Sequence, residues 1–302
     1  MISNKSNLPN FLIVGVAKCG TTSLVKYLDE NPKIFISKNK EPRYLTYDIL
    51  SEQGYKGPGD FRPKKIAVKT AESYRQLFKE AEEFIAIGEA STDTIYYYEH
   101  TINRIKDEFG DPRIVIMLRD PVKRAISAYS HLIREERETL SFEDGLLKEE
   151  ERLNNGYECI WGYVKGGLYY EPVKAFKEAF SEVKILIFED FVKNSKESVN
   201  EVLSFLKVEH AHDFSMDRFN KSGRPKNKLI NKFLTRKSWL KSILKKILGE
   251  KLALKAKGKV QESNLQKIQI DRRVQNKLYL NFKKDIEQLE KYLGINLEQW
   301  KY

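Results

Sequence analysis

The segment after the first apolar run combines residue types that bind phosphate. Phe11–Val16 reads as a buried strand, and Gly15 and Gly20 keep the spacing of the G-x-x-x-x-G-K-[ST] loop of nucleoside-triphosphate-binding proteins. Thr21 occupies the position of that loop's lysine, and the lysine has moved back to Lys18. The loop still offers backbone N–H groups and a helix N-terminus to an anion. The pattern therefore predicts a phosphate site for a ligand with fewer consecutive phosphates than ATP.

A second basic motif follows another apolar, β-branched run, Arg113–Leu118. Arg119 comes directly after that predicted strand, at the carboxyl edge of the sheet, where open α/β sheets bind ligands. Pro121 fits the first turn of a helix, and Ser127 lies about two helical turns beyond Arg119. A guanidinium and a hydroxyl suit an isolated phosphate monoester. We therefore predict a second phosphate site at Arg119 and Ser127.

Together the two motifs, K-x-G-T-T-x-L and L-R-D-P-x-x-R-x-x-S-x-Y, resemble the nucleotide signatures of sulfotransferases that use 3′-phosphoadenosine-5′-phosphosulfate (PAPS). The resemblance implies that the first motif binds the 5′-phosphosulfate and the second the 3′-phosphate. The donor-binding residues implied for the first motif are Lys18, Cys19, Gly20, Thr21, Thr22 and Ser23. Lys18 is also implied to be catalytic, because it would neutralise charge on the bridging oxygen as the sulfuryl group leaves.

The segment Lys40-Glu41-Pro42 resembles part of the carbohydrate sulfotransferases, including the heparan sulfate type, and of their bacterial relatives. A glutamate is the proposed general base in that group, so the resemblance assigns this role to Glu41. Glu89 is the alternative base, although it could instead support the phosphate loop. Residues 88–93 read Gly-Glu-Ala-Ser-Thr-Asp where heparan-modifying relatives often have E-K-T-P. The resemblance therefore favours sulfuryl transfer without favouring a heparan-like acceptor.

A late basic loop resembles the segment that closes over the nucleotide in this family, and it adds four residues to the predicted donor site. They are Lys221, Ser222, Gly223 and Arg224. The resemblance covers roughly residues 8–230, with a weaker similarity up to Trp300. Arg124 has two interpretations, as a further phosphate ligand or as an ion-pair partner of Asp120 on the helix surface.

Strands and helices alternate in the sequence as expected for a parallel sheet wrapped by helices. Strands are expected at about 11–16, 33–36, 84–88, 113–118 and 183–188. We predict one α/β domain over residues 1–302, with a central parallel sheet of about five strands and a P-loop-like phosphosulfate-binding loop. Residues 8–230 would form the nucleotide-binding core and the acceptor loops. Residues 231–302 would form a basic amphipathic helix and a C-terminal helix at about 274–293.

Two segments are expected near the acceptor. Residues 46–65 contain several glycines and prolines and read as a loop excursion of the kind that often shapes an acceptor site. Residues 134–160 are rich in Glu, Arg and Lys and read as a solvated helix and loop, and the resemblance implies that this region borders the acceptor. The expected acceptor is a hydroxyl, or an amine, of a carbohydrate or glycolipid.

The composition indicates which class of protein this is and where in the cell it is expected. A hydrophobic fraction of 41% in 302 residues supports a folded core, and the mean hydropathy of -0.56 argues against an integral membrane protein. The sequence has no long apolar run and no apolar leader before the first strand, so we expect a cytoplasmic location. Cys19, Cys159 and the four histidines do not have the spacing of a metal site, and we predict that the chemistry requires no metal.

The net charge of +11 is concentrated in one segment. Residues 221–260 contain fourteen Lys and Arg against one acid, Glu250, so the rest of the chain is slightly acidic. Such a patch attracts anionic sugars, lipid headgroups or a nucleotide equally well, and it does not by itself predict nucleic-acid binding. Residues 229–254 have apolar positions at helical spacing, so this helix would pack on the domain or lie on the anionic inner face of a membrane.

The sequence thus predicts a PAPS-dependent sulfotransferase whose nucleotide product is adenosine 3′,5′-bisphosphate. One alternative is a P-loop-type nucleotide kinase, which Thr21 at the lysine position disfavours. The other is a non-catalytic protein that binds glycans or a membrane surface and retains a nucleotide pocket.

Overall fold

A parallel five-stranded sheet forms the centre of the molecule. The computed structural model describes residues 8–209, 224–226, 260, 263–266 and 268–302. The strands of the sheet are β1 (Phe11–Gly15), β2 (Ile34–Ile36), β3 (Ala86–Ala90), β4 (Arg113–Leu118) and β5 (Val183–Ile187). Their order is β2-β3-β1-β4-β5, and all neighbouring strands are parallel. The predicted α/β class and the parallel sheet are confirmed.

Helices connect the strands and cover both faces of the sheet. In the described part of the chain they are α1 (Thr21–Asp29), α2 (Tyr47–Gln53), α3 (Phe61–Ile66), α4 (Ala71–Gln76), α5 (Tyr98–Phe109), α6 (Pro121–Arg134), α7 (Phe142–Leu147), α8 (Glu149–Asn154), α9 (Tyr170–Ala179), α10 (Phe188–Lys193), α11 (Ser195–Phe205) and α12 (Arg272–Leu293). Two short antiparallel strands, β6 (Arg224–Pro225) and β7 (Leu265–Gln266), lie outside the sheet. Among the described residues, no helix has both the length and the apolar character that crossing a bilayer requires.

The two central strands bring both phosphate motifs to one edge of the sheet. All residues of β1 are buried, and so are those of β4 after Arg113, because helices cover both faces. Gly88 of β3 packs against Phe11, where an added Cβ would lie 2.3 Å from the ring. Since β1 and β4 are adjacent and parallel, the loop after Gly15 and the residue Arg119 emerge side by side. This edge is where the sequence predicted a ligand.

The third strand begins later than predicted. It spans Ala86–Ala90 instead of 84–88, and Asn10 fixes its start by accepting a hydrogen bond from Ile87 N and donating one to Ile85 O. Glu89 therefore lies inside the strand, where it is buried.

The two segments expected beside the acceptor are more ordered than predicted. Residues 46–65 contain α2 and most of α3, joined by a turn in which Gly54 and Gly59 have φ of 84° and 78°. Residues 134–160 contain α7 and α8, and several of their charged side chains are buried. The prediction of a solvated segment was wrong there, because these charges pair with one another and with backbone groups.

The C-terminal helix is confirmed as α12, which begins at Arg272 and ends at Leu293. Its buried face packs against α6 and α9. The predicted basic helix at 229–254 and the residues Lys221, Ser222 and Gly223 lie outside the described residues.

Candidate active site

A cavity of ≈ 1430 Å³ opens at the carboxyl edge of β1 and β4. It brings together most of the residues that the two sequence motifs and the Lys-Glu-Pro segment predicted. Those on its wall are Lys18, Gly20, Thr21, Thr22, Ser23, Glu41, Arg119 and Ser127. Further wall residues come from α3, from the C-terminal half of α6 and from residues 268–270.

The phosphate loop approaches the cavity with its backbone. Gly20 caps the N-terminus of α1 with φ of 96°, and an added Cβ would lie 2.6 Å from the Phe188 ring. Only glycine fits this position, because both the backbone conformation and the space exclude a side chain. Thr22 accepts a hydrogen bond from Lys40 Nζ at 2.6 Å, so a second lysine lies beside the loop.

Lys18 places an amine on the cavity wall, where an anionic ligand would bind. Its φ is 74°, and its carbonyl oxygen accepts a hydrogen bond from Arg119 Nη1 at 3.0 Å. Burial, followed by the positive charge of Arg134, lowers the pKa of Lys18 to about 8. An anion bound at this site would restore the charged form of the amine.

Arg119 and Ser127 have the features of a phosphate monoester site. The Arg119 guanidinium lies 4.6 Å from the centre of the Phe188 ring. Its Nε is buried and has no hydrogen-bond partner among the described residues, so it can donate to a ligand. Ser127 lies on α6, is largely buried and borders the cavity. These observations fit an isolated phosphate at this end of the cavity.

The side chain of Cys19 faces the protein interior. Burial raises the pKa of this thiol to about 12, and its sulfur lies 3.9 Å from the Tyr169 hydroxyl. The same hydroxyl donates to the carbonyl oxygen of Arg119 at 2.9 Å. Tyr169 therefore links the two phosphate motifs from behind, and only the backbone of Cys19 can reach a ligand in the cavity.

Arg124 follows neither of its two interpretations. It is buried away from the cavity, and its Nη2 donates to the carbonyl oxygens of Gly162 at 2.8 Å and Tyr163 at 2.6 Å. Asp120 instead caps α6 and pairs with Lys123 at 2.8 Å. The Arg124 guanidinium therefore connects α6 to the segment after α8.

Glu41 lies on the cavity wall with each carboxylate oxygen bonded once. Its Oε2 accepts from Arg43 Nη2 at 3.1 Å, and its Oε1 accepts from the Thr92 hydroxyl at 3.3 Å. Each oxygen retains a lone pair for another donor. The carboxylate is therefore available to an acceptor hydroxyl.

Glu89 does not reach the cavity. Its side chain is buried and accepts a hydrogen bond from the Ser91 hydroxyl at 2.9 Å. Among the described residues it makes no hydrogen bond to the phosphate loop, so its interpretation as a support of that loop is wrong, while its role as the alternative base stays a prediction. Burial raises the pKa of Glu89 to about 8, and the nearby charges of Asp93 and Glu41 add to the effect.

The buried proton of Glu89 predicts a pH-dependent stability. Its pKa is raised in the folded state, so between about pH 4.5 and 8 the folded chain holds a proton that the unfolded chain releases. The free energy of unfolding should therefore fall by about 1.4 kcal/mol per pH unit in this window. Glu89→Gln should remove this slope, measured by urea unfolding at pH 5, 6.5 and 8. The exposed Glu150→Gln is the control and should keep it; equal slopes for wild type and Glu89→Gln would contradict the prediction.

His131 also lines the cavity, although no sequence motif identified it as a site residue. Arg134 Nη2 lies 2.9 Å from His131 Nδ1, and since a guanidinium can only donate, the imidazole carries its proton on Nε2. Burial and the nearby positive charges of Lys18 and Arg134 lower the pKa of His131 to about 2. The signal was present, because Ser127, His131 and Arg134 follow i, i+4, i+7 spacing on one face of a helix.

Arg224 is described through its backbone alone. It begins β6, pairs with Gln266 of β7, and this short strand lies beside α6. The placement is compatible with the predicted closing segment, and its role in donor binding stays a prediction.

The sequence matches a known protein family. Residues 9–213 match the sequence model of the sulfotransferase family. The crystal structure of a sulfotransferase from Alicyclobacillus acidocaldarius shares 32% identity, covers 97% of this chain and 98% of its own, and superposes with a TM-score of 0.76.

Curated relatives are more distant. Carbohydrate sulfotransferase 15 of Mus musculus is 24% identical over 262 residues, which covers 67% of this chain and 44% of that protein. Heparan sulfate glucosamine 3-O-sulfotransferase 3B1 of the same species is 24% identical over 178 residues, covering 59% of this chain and 40% of that protein. The chain thus spans less than half the length of these relatives.

Proposed function

This chain belongs to the sulfotransferase family, and we propose that it transfers the sulfuryl group of PAPS to a hydroxyl of a carbohydrate acceptor. The observation that carries the proposal is one cavity that joins Lys18, the Arg119 and Ser127 pair, and Glu41. Lys18 would bind the sulfuryl end of the donor, and Arg119 with Ser127 its 3′-phosphate. Glu41 would accept the proton.

The donor is proposed to lie between the two phosphate motifs. The amides and hydroxyls at residues 20–23 would hold the 5′-phosphosulfate, and Arg119 with Ser127 the 3′-phosphate. Two features of the protein support this fit. The glycine at position 20 allows close approach of a phosphate, and the Arg119 Nε is a buried donor with no partner among the described residues.

The proposed reaction is an in-line displacement at sulfur. The acceptor oxygen forms a bond to sulfur as the bond from sulfur to the bridging oxygen of the bisphosphate breaks. Glu41 takes the proton of the acceptor hydroxyl, and the departing oxygen keeps the electron pair. Lys18 stabilises the negative charge on that oxygen. The nucleotide product is adenosine 3′,5′-bisphosphate, and no step in this scheme needs a metal ion.

The carbohydrate acceptor is supported by the relatives and by the far side of the cavity. Both curated relatives carry the name of a carbohydrate or glycan sulfotransferase. Arg62 of α3 and Glu135 after α6 form an ion pair of 2.8 Å at this side, and both line the cavity. Polar groups of this kind can bind sugar hydroxyls. A glycolipid or an amine as acceptor, a cytoplasmic location and contact with an anionic membrane remain predictions.

The donor assignment predicts which nucleotide binds. By titration calorimetry in EDTA, adenosine 3′,5′-bisphosphate should bind without magnesium and more tightly than ATP with magnesium. Arg119→Met should weaken that binding about 10–100-fold, because a charged hydrogen bond to phosphate contributes about 1.5–3 kcal/mol. Arg75→Met on the exposed face of α4 is the control and should bind like the wild type. Tighter binding of ATP with magnesium would support the kinase alternative instead.

The acceptor class needs a separate assay. Transfer of radiolabelled sulfate from PAPS to cell-envelope glycans would support a carbohydrate acceptor. Tight bisphosphate binding without transfer to any glycan fraction would leave the donor site intact and contradict this acceptor.

A further inference from the structure

Arg43 is a buried cation directly behind the proposed base. Its Nη2 lies 3.1 Å from Glu41 Oε2, while its Nη1 lies 2.8 Å from Glu158 Oε1 and 3.7 Å from Asp93 Oδ2. The arginine side chain is 9% exposed and the Glu41 side chain 22%. One guanidinium thus joins the cavity wall, the turn after β3 and the segment after α8.

The backbone around Arg43 is held in a fixed, unfavourable conformation. Glu41 and Arg43 both have positive φ, 56° and 51°, on either side of Pro42. Non-glycine residues adopt this conformation at a cost, so the surrounding contacts must hold it in place. Pro42 O accepts from Val68 N at 2.8 Å, and Arg43 N donates to the Ser91 hydroxyl at 3.1 Å. The turn is therefore fixed on both sides.

The charges around Glu41 explain why a cation is needed there. Its carboxylate interacts with groups from several elements: Lys18 in the phosphate loop, Arg43 in its own turn, Glu89 and Asp93 around the end of β3, and Cys159 after α8. Burial raises the pKa of Glu89 and of Cys159, so both are neutral near pH 7, and Asp93 is the buried acid whose charge opposes that of Glu41. A protonated Glu41 could not accept a proton from the acceptor.

We propose that Arg43 is the positioning residue of the proposed base: its guanidinium orients the Glu41 carboxylate toward the acceptor and offsets the negative charge of the neighbouring buried Asp93. This inference rests on the proposed function, in which Glu41 is the base. Arg43 acts through Glu41 and does not itself touch the reacting atoms.

Arg137 provides a matched control. It is as buried as Arg43, pairs with Glu158 at 3.0 Å and also pairs with Asp60. It makes no hydrogen bond to Glu41 in the described structure. A substitution there disturbs the same buried ion network without removing the contact under test.

The decisive measurement is the ¹³C chemical shift of the Glu41 carboxylate at pH 7. It can be followed by NMR of side-chain-labelled glutamate, with the Glu41 signal assigned by its loss in Glu41→Gln. Arg43→Met should move this signal, because the hydrogen bond from the guanidinium is lost. Arg43→Lys should move it less, and Arg137→Met should leave it unchanged.

A second readout uses transfer of radiolabelled sulfate to cell-envelope glycans. Arg43→Met should lower kcat at least about tenfold at pH 7, because the carboxylate is no longer held in the orientation that transfer needs, with the KM for PAPS unchanged. Arg43→Lys should recover part of the rate.

Two results would overturn the inference. One is an unchanged Glu41 carboxylate signal in Arg43→Met, and the other is an equal change in Arg137→Met, which would reduce Arg43 to a general structural role. If Arg43→Met does not fold, Thr92→Val removes the other donor to Glu41 and should give a smaller change, while Arg43→Lys tests the position. The NMR experiment requires no turnover, so an inactive glycan assay would count against the acceptor and not against the Arg43 contact.

Discussion

Glu41→Gln is expected to lower kcat about 10²–10⁴-fold, the usual contribution of a general base. The amide keeps the shape of the side chain but cannot take the acceptor proton. Binding of adenosine 3′,5′-bisphosphate should change little, since Glu41 belongs to neither of the two phosphate motifs. Steady-state transfer of labelled sulfate at saturating PAPS, with calorimetry of the bisphosphate, measures both quantities.

Glu89→Gln is the matched control for this experiment. The same chemical change is made in a carboxyl that is buried and does not border the cavity. It should retain transfer within a few-fold of the wild type. Full turnover by Glu41→Gln together with loss of turnover in Glu89→Gln would move the role of base to Glu89.

Lys18→Ala is expected to lower kcat about 10²–10³-fold, similar to the loss of one donor that stabilises a developing oxyanion. The effect on kcat should exceed the effect on bisphosphate affinity, because the charge on the bridging oxygen is greatest as the sulfuryl group departs. Lys40→Ala is the control, since this exposed lysine also lies beside the loop and bonds to Thr22. An equal loss of kcat in both variants would mean that Lys18 contributes only to the general positive charge of the cavity.

The pH dependence of binding provides an independent check on Lys18. Its pKa of about 8 in the empty site means that the amine loses its proton as the pH rises past 8. Donor binding favours the protonated form, so affinity for the bisphosphate should fall as the pH increases from 7 to 9, by up to about tenfold per unit above the pKa. This fall should be much smaller in Lys18→Ala.

The parts of the site that the sequence predicted depend on short segments. The phosphate loop and the Arg119 motif each follow a buried strand, and the apolar runs of β1 and β4 are visible as such in the sequence. A parallel sheet then places both motifs at the same edge. Strand, turn and helix start were therefore sufficient to predict the fold class and to bring the two motifs to one cavity.

The acceptor side could not be predicted in the same way. Residues 134–160 look solvated because they are rich in charge, yet Arg137 is buried against Asp60, far earlier in the chain. Arg43 was not identified because two of its three ionic partners, Asp93 and Glu158, come from distant segments. Burial and pairing of charged side chains depend on tertiary contacts, which neither periodicity nor a local motif reveals.

Arg119 donates to the backbone of Lys18, and Tyr169 contacts both phosphate motifs from behind. We therefore expect the protein to set the separation between the two predicted anion sites, with little change on ligand binding. A site of this kind would select nucleotides by how far apart their charged groups lie on the ribose. We expect it to discriminate against ADP, whose phosphates are adjacent, even though the total charge is similar, and to favour rigid inhibitors whose two anionic groups match that fixed distance.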